Sequence, residues 1–530
     1  MTQRRTDLDA LRGFAMLLGI GLHASLSFCE FPWPVHDTRR SDLLPLFLVA
    51  VHGFRMPLFF LLSGYFTMLV YRRRGLESLL RQRLVRIALP LGIAVATIVP
   101  LDSALKGFAE RAMSPEPAVA EILSGDVAAV RRRLATPGAV ARKDPFYGHT
   151  PLGWATLHGD PAIVAAVLDA GGDVNERDGS GNTALHVVAY FGRDAAGRLL
   201  VERGADPRAR NVVGRLPAAA MELPADDAAE FAPLVGLGAL GVDDVLQGRA
   251  RLREVLPTGP NAEGTEGGLL DRLTLAWSRM LSAERLRLRF GSWSLHLIQT
   301  NVFDHLWFLW FLCWLVAIFA LLAVTGLLPT GRQRWWLVAA SCLPQAVMGM
   351  SLAGSLGPDT SFGLLPKPHV LGFYTCFFFF GVATFAAEGL DTRLGRQWKL
   401  LLPAAAVLFV AGIATMNDRL LATVLQPAYA WAMSLGLIGL FCRLFPHPRS
   451  AVSWLADASY WMYLVHVPLV MVAQLLVREW PLPAGVKFLV ILGLVTPLLL
   501  ASYRWCVRYT AIGSLLNGPR EFPAAGGARQ

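Results

Sequence analysis

Two ionisable residues stand in the first apolar stretch of the chain, Arg12 and His23, in and beside a run that is apolar from Gly13 to Phe28. They are eleven residues apart. At about 100° per residue this leaves them within about 20° of one helical face, about 16 Å apart along the axis. Ionisable groups are expensive inside a membrane, so each is a candidate for function. A guanidinium suits phosphate, and an imidazole can take a hydroxyl proton near neutral pH. One helical face could therefore hold an anionic donor at one end and activate an acceptor further along. A snorkelling arginine and a hydrogen-bonded core histidine fit the same spacing, and the spacing leaves both open. Arg55 sits in the middle of a second apolar run and cannot snorkel. It needs a partner inside the bundle, with Glu30 or the neighbourhood of His23 as candidates. Asp9 can cap the first helix or orient Arg12. No phosphate-binding loop, dinucleotide-binding, nucleophile-elbow or metal-binding pattern stands out.

The elements that must position these residues are membrane helices. Of 530 residues, 54% are hydrophobic and only 17% charged, with a mean hydropathy of +0.44. This excludes a wholly soluble or disordered chain. About 20 mostly apolar residues cross a bilayer core. Ten segments qualify: 11–29, 45–70, 84–101, 303–326, 335–354, 369–387, 400–416, 426–445, 452–477 and 485–507. The stretch after Arg4 and Arg5 reads as a retained first membrane helix rather than a signal peptide, because Phe28 is too bulky for a cleavage site before Cys29. An even number of spans puts both termini on one side. With the N-terminus inside, short inside segments carry 20 basic residues and short outside segments six, among them Lys487. The split favours cytoplasmic termini. Residues 102–290 hold 22 basic and 25 acidic residues, whereas the rest of the chain holds 27 and 14. The net charge of +10 therefore belongs to the apolar part and reads as membrane orientation, not as nucleic-acid binding. None of the six cysteines lies in residues 102–290 and none forms a C-x-x-C pair, so buried thiols are expected rather than disulfides or zinc.

Residues 102–290 contain a repeat. Gly148 to Gly181, Thr150 to Thr183, Gly159 to Gly192 and Gly171 to Gly204 are each 33 residues apart. The spacing resembles the ankyrin repeat. Thr150 and Thr183 can cap helices, and Gly159 and Gly192 suit the tight turn between paired helices. Residues 117–144 look like a diverged first unit, and a degraded one begins at Gly214. Such arrays are binding modules, so His149, His158 and His186 are expected to be structural or solvent-facing. Residues 257–268, rich in proline and glycine, read as a linker, and 269–290 as an amphipathic helix.

Five elements outside the insert resemble the acyltransferase-3 family. Thr6-Asp7-Leu8-Asp9-Ala10-Leu11-Arg12-Gly13 followed by His23 is similar to its first helix. His52-Gly53-Phe54-Arg55-Met56-Pro57-Leu58-Phe59-Phe60-Leu61-Leu62-Ser63-Gly64-Tyr65-Phe66 is similar to its second, and Arg83-Leu84-Val85-Arg86 to its Arg-x-x-Arg element. His305-Leu306-Trp307-Phe308-Leu309 and Ser459-Tyr460-Trp461-Met462-Tyr463-Leu464-Val465-His466-Val467-Pro468 resemble the branch that contains glucans biosynthesis protein C.

The resemblance implies an integral enzyme of a bacterial inner membrane that moves an acyl group, acetyl or succinyl, from cytoplasmic acyl-CoA to a hydroxyl of an extracytoplasmic glycan. No bound cofactor is implied. His23 would be general base or transient acyl carrier, and Arg12, Arg83 and Arg86 would bind donor phosphates. Arg55, His52, His305, His466 and Tyr463 are pocket candidates. The expected fold is all-α: a polytopic bundle of about ten transmembrane helices with an inserted ankyrin-repeat solenoid. Its divisions are a first membrane part over 1–101, the ankyrin insert over 102–256, a linker with an amphipathic helix over 257–302, a second membrane part over 303–510 and a tail over 511–530. The insert would bind a protein partner or the acceptor. A non-enzymatic transporter or an ankyrin docking scaffold is the alternative, since intramembrane arginine and histidine also suit translocation. The expected topology has a direct check: a periplasm-active reporter fused near residue 220 is active and one near residue 80 is silent, and the reverse pattern overturns the span count.

Overall fold

A computed structural model describes residues 5–520 apart from 30–32, 113–116, 145–148, 179–180, 212–214, 224, 235–236, 238–239, 258–275, 278–279, 282–283, 291–292, 352–356, 390–394, 416–417 and 519. The first helix, α1 (Thr6–Ser25), is apolar on nearly every side and buried on nearly every side. Such a helix belongs in the middle of a bundle. After the 33–43 loop comes α2 (Leu44–Arg83), which passes through a short π-helical stretch into α3 (Leu89–Ala112). Gly75, at φ 76°, breaks the helical backbone inside α2, in the left-handed region that glycine enters cheaply.

The insert folds as stacked helix pairs: α4 (Pro117–Ser124) with α5 (Val127–Leu134), α6 (Pro151–His158) with α7 (Pro161–Asp169), and α8 (Ala184–Phe191) with α9 (Asp194–Glu202). Then follow α10 (Pro217–Ala220), α11 (Ala225–Leu234) and α12 (Val242–Leu252). The repeated residues do what their chemistry suggests. Thr150 accepts from the Gly153 N–H and caps α6, while Gly159 and Gly192 end α6 and α8 at φ 87° and 68°. His186 is structural: its Nδ1 accepts from the Thr183 N–H at 3.0 Å, closing a capping box. Burial lowers its basicity below that of a free imidazole. Gly148 and Gly214 of the repeat lie outside the described residues.

The helix expected over 269–290 is corrected at its end. Residues 258–275 lie outside the described residues, and Arg287–Phe290 is a strand, β1, paired antiparallel with β2 (Trp293–His296). The reason is visible in the alternation Arg287, Leu288, Arg289, Phe290, whose period of two competes with the helical period. The membrane part resumes with α13 (Trp307–Val324), the broken pair α14 (Arg334–Ala340) and α15 (Cys342–Ser351), α16 (Pro368–Glu388), α17 (Trp398–Ala414), α18 (Arg419–Leu444), α19 (Ser450–Val477) and α20 (Ala484–Ser502), and a last short helix, α21 (Ala511–Asn517).

Seven described segments, not ten, are long and apolar enough to span a membrane. Two of the expected spans, 45–70 and 84–101, merge into one helical run, Leu44–Ala109. The 335–354 segment is interrupted at Ser341, and α17 is an apolar helix of 17 residues. The directions of the helices are nonetheless regular. Contacts Gly19 to Arg55 and Gly21 to Phe47 make α1 and α2 antiparallel. Phe60 to Tyr374 and Tyr65 to Phe385 make α2 and α16 parallel. Gly436 to Leu402 and Phe409 to Tyr429 make α17 and α18 antiparallel. Gly13 to Leu455 and His23 to His466 make α1 and α19 parallel.

Close approach of backbones holds the bundle, as expected where lipid gives apolar side chains no reason to prefer one another. A Cβ on Gly64 would lie 1.8 Å from the Phe378 carbonyl oxygen, and one on Gly381 2.0 Å from that of Leu61. The Phe377–Phe380 run of α16 is core, and Phe377 stacks on Trp431 at 3.8 Å between ring centroids. Lys487, counted among the outside charges, is not a solvent-facing one. It is fully buried and paired with Asp37 at 2.8 Å, tying the 33–43 loop to α20. Gly64→Ala is expected to destabilise the bundle by about 1–3 kcal/mol, read as a lower Tm in detergent. Gly485→Ala, where a Cβ would meet nothing within 4 Å, leaves Tm unchanged.

Candidate active site

The parallel pair α1 and α19 carries Arg12, His23, Tyr463 and His466 of the sequence-predicted residues, at two levels. At one level α1 brings Arg12, whose Nη2 donates to the Ala456 carbonyl of α19 at 2.5 Å. One turn on, Tyr460 donates its hydroxyl proton to the Arg86 carbonyl at 2.8 Å. Arg83 donates from Nη2 to the Thr67 hydroxyl of α2 at 3.0 Å. Arg12, Arg83 and Arg86 thus share one end of the bundle. Asp457 at this level pairs with Arg520 at 2.7 Å, and the Arg86 guanidinium lies against Gly518, so the chain after α21 also closes over this end.

The second level lies about 15 Å further along α19, ten residues at 1.5 Å each. There the His23 ring meets His466 at 5.0 Å between centroids, and His466 meets His305 at 5.5 Å. Gln474 of α19 fixes the end of α1 by donating to the His23 carbonyl at 3.0 Å, and accepts from the Trp33 indole at 2.8 Å. Tyr463 donates to the His305 carbonyl at 2.7 Å. Arg55 approaches from α2, with its Nη1 only 2.1 Å from where a Cβ on Gly19 would stand. Gly19 lies one turn before His23, so the absent side chain at 19 is what admits the guanidinium to this level. The Arg55 Nε has no hydrogen-bond partner among the described residues, and the expected partner Glu30 lies outside them.

His52 does not join this group. It lies one turn before Arg55, and its Nε2 is 2.9 Å from the Pro358 carbonyl. The residues that sequence reasoning missed are on α3 and the turn before α13. Asp102 is completely buried, with a carboxylate oxygen 3.0 Å from His305 Nδ1. Lys106, one turn further, pairs with Asp304. Asp102 and Ala109, both fully buried, are seven residues apart on one helical face. That periodicity was the available signal. It was masked because the apolar run ends at Leu101 while the helix continues to Ala112.

Basic groups thus stand at two depths of the helical bundle, arginines at one end and imidazoles at the other. Residues 5–119 and 266–504 match the model of an acyltransferase domain, acyltransferase-3, and residues 118–211 match ankyrin repeats in three copies. The chain belongs to the acyltransferase-3 family and carries an ankyrin-repeat insert. Among curated proteins it is similar to glucans biosynthesis protein C of Shigella dysenteriae serotype 1, 39% identical over 93 residues, which are 18% of this chain and 24% of that protein. The protein of the same name from Escherichia coli strain K12 is 38% identical over 93 residues, with the same shares. The aligned part spans about a quarter of these relatives. Gly19→Ala should push Arg55 from its place beside His23 while keeping both residues. A misplacement on the order of 1 Å can cost about 100-fold in rate, so acyl transfer should fall about 10- to 100-fold at normal membrane abundance. An unchanged rate removes Arg55 from the reaction.

Proposed function

We propose that this protein transfers an acetyl or succinyl group from cytoplasmic acyl-CoA to a hydroxyl of an extracytoplasmic glycan. The observation that carries the reading is the spacing of two chemistries along α1 and α19, with Arg12, Arg83 and Arg86 at one end and His23 at the other. The arginines bind the phosphates of the donor, which lets its thioester arm run along the interior of the bundle. His23 takes the proton of the acceptor hydroxyl as its oxygen attacks the thioester carbonyl. The family supports acyl transfer, and the name of the glucan-related relatives supports a carbohydrate acceptor.

The topology in this reading has ten crossings, with the interrupted α14–α15 segment and α17 among them. The alternating helix directions support it: α1 and α19, the first and ninth crossings, run parallel, as do α2 and α16, the second and sixth. In this reading both termini lie in the cytoplasm, the bundle in a bacterial inner membrane and the ankyrin insert outside it, which the excess of basic residues on the short inside segments supports. There the insert holds a protein partner or the glycan close to the imidazole end of the bundle.

The test is transfer from radiolabelled acetyl-CoA or succinyl-CoA to a glucan oligosaccharide by the full chain in proteoliposomes. His23→Ala should abolish transfer, with the protein still in the membrane. Arg12→Ala should raise the donor concentration needed for half-maximal rate, leaving the acceptor requirement unchanged. Normal product from His23→Ala would sink the base assignment, and an unaltered donor requirement would remove Arg12 from its role.

A further inference from the structure

His23 does not stand alone as a base. The ring of His466 lies edge-on to it, and the hydrogen bonds of His466 determine where its protons are. Its Nδ1 is 2.8 Å from the Tyr463 carbonyl oxygen. A carbonyl only accepts, so Nδ1 carries the hydrogen and the neutral ring presents its lone pair at Nε2. That Nε2 is buried and has no hydrogen-bond partner among the described residues, and neither has the buried Nδ1 of His23 on the adjacent ring. Leaving two such atoms unmatched in the interior is unfavourable, by about 1–3 kcal/mol each. Arg55 enters the bundle beside both rings.

The third imidazole is built differently. His305 Nε2 is 3.1 Å from the Leu464 carbonyl oxygen and its Nδ1 is 3.0 Å from Asp102, with the carboxylate off the N–H axis. Nε2 therefore carries a hydrogen. A bare lone pair on Nδ1 beside a carboxylate oxygen at that distance would be repulsive, so the His305–Asp102 contact needs a proton on one of the two groups. His305 has Nδ1 beside the Asp102 carboxylate and is held by two links to α19: its Nε2–H on Leu464 and the Tyr463 hydroxyl on its own carbonyl. It acts as a fixed wall behind His466. The pair buries a carboxylate completely, at a desolvation cost that accurate placement of the ring would offset.

We propose that His466 is a proton acceptor in series with His23, and that the buried Asp102–His305 pair is the positioning element that holds it there. The proposal rests on the acyl-transfer reading of the site. As the acceptor oxygen attacks the thioester carbon, its O–H bond breaks and the proton moves to the His23 nitrogen that faces it. The proton on the opposite His23 nitrogen passes to His466 Nε2. The C–S bond then breaks, with its electron pair leaving on sulfur. The proton returns through His23 to that thiolate, so hydroxyl and thioester become ester and thiol. Spreading the charge over two imidazoles lowers the penalty of making an imidazolium in the bundle interior.

The groups around His466 are His23 on α1, Arg55 on α2, Asp102 and Lys106 on α3, Asp304 and His305 on the following turn, and Tyr463 on its own helix. His466→Asn keeps a donor for the Tyr463 carbonyl and removes the lone pair. In proteoliposomes with acetyl-CoA or succinyl-CoA and a glucan oligosaccharide, it should lower kcat about 100-fold or more with both KM values within about twofold. His305→Phe and Asp102→Asn should each lower kcat about tenfold, and Asp102→Glu should recover part of the loss. Solid-state NMR of the 15N-histidine-labelled full chain in membranes, with the His466→Asn sample for assignment, needs no turnover. It should find His466 neutral with hydrogen on Nδ1, and Asp102→Asn should change the His305 nitrogen signals. Hydrogen on Nε2 of His466 overturns the proposal, as does full kcat in His466→Asn while His23→Ala is inactive. In that last case acyl transfer with His23 as sole base stands. Transfer by His23→Ala at the normal rate removes both.

Discussion

The parallel contact of α1 with α19 is the interaction on which the rest of the site depends. Two helices that run the same way keep one depth of the first beside one depth of the second. Arg12 meets Ala456 and His23 meets His466 because eleven residues on one helix and ten on the other cover nearly the same rise. The Gln474 amide locks the register by bonding both the His23 carbonyl and the Trp33 indole. A slip of one turn along this seam would separate every pair that the chemistry uses.

Desolvation explains what surrounds that seam. Charged and polar groups in the bundle are held at points where another element can answer them: Asp102 by His305, Lys487 by Asp37, Asp457 by Arg520. Each link joins segments far apart in the chain, so the polar groups also register the helices. At the imidazole level His23 Nδ1, His466 Nε2 and Arg55 Nε are buried without hydrogen-bond partners among the described residues. The ion pairs build the scaffold, and the two histidine nitrogens and the arginine stand together where α1, α2 and α19 meet.

The insert obeys a different solvent. Its helices are short, capped by threonine or aspartate, and several end on a left-handed glycine. Those rules act within a few residues, so a 33-residue period displays them. The α3 boundary and the β1–β2 hairpin were harder to see for the opposite reason. Where apolar content fades at Leu101 the helix continues, because one face still packs on α19 through Ala109 and Val467. Where Arg287–Phe290 could have wound as an amphipathic helix, the pairing partner that makes it a strand lies in the next few residues. The apolar runs were legible in the sequence, but how they divide into helices, the length of each and the break at Ser341 were not.

The sequence by itself determined the two solvents of this chain, the family, the ankyrin period and the common face of Arg12 and His23. All of these rest on local composition and on spacing within one element. Only the tertiary structure decided that Asp102 belongs with His305, that His466 rather than His52 faces His23, and that Gly19 admits Arg55. Those pairings join residues up to several hundred positions apart. They are set by the direction in which helices pack and by where a missing Cβ lets a guanidinium through, and neither leaves a periodic trace along the chain.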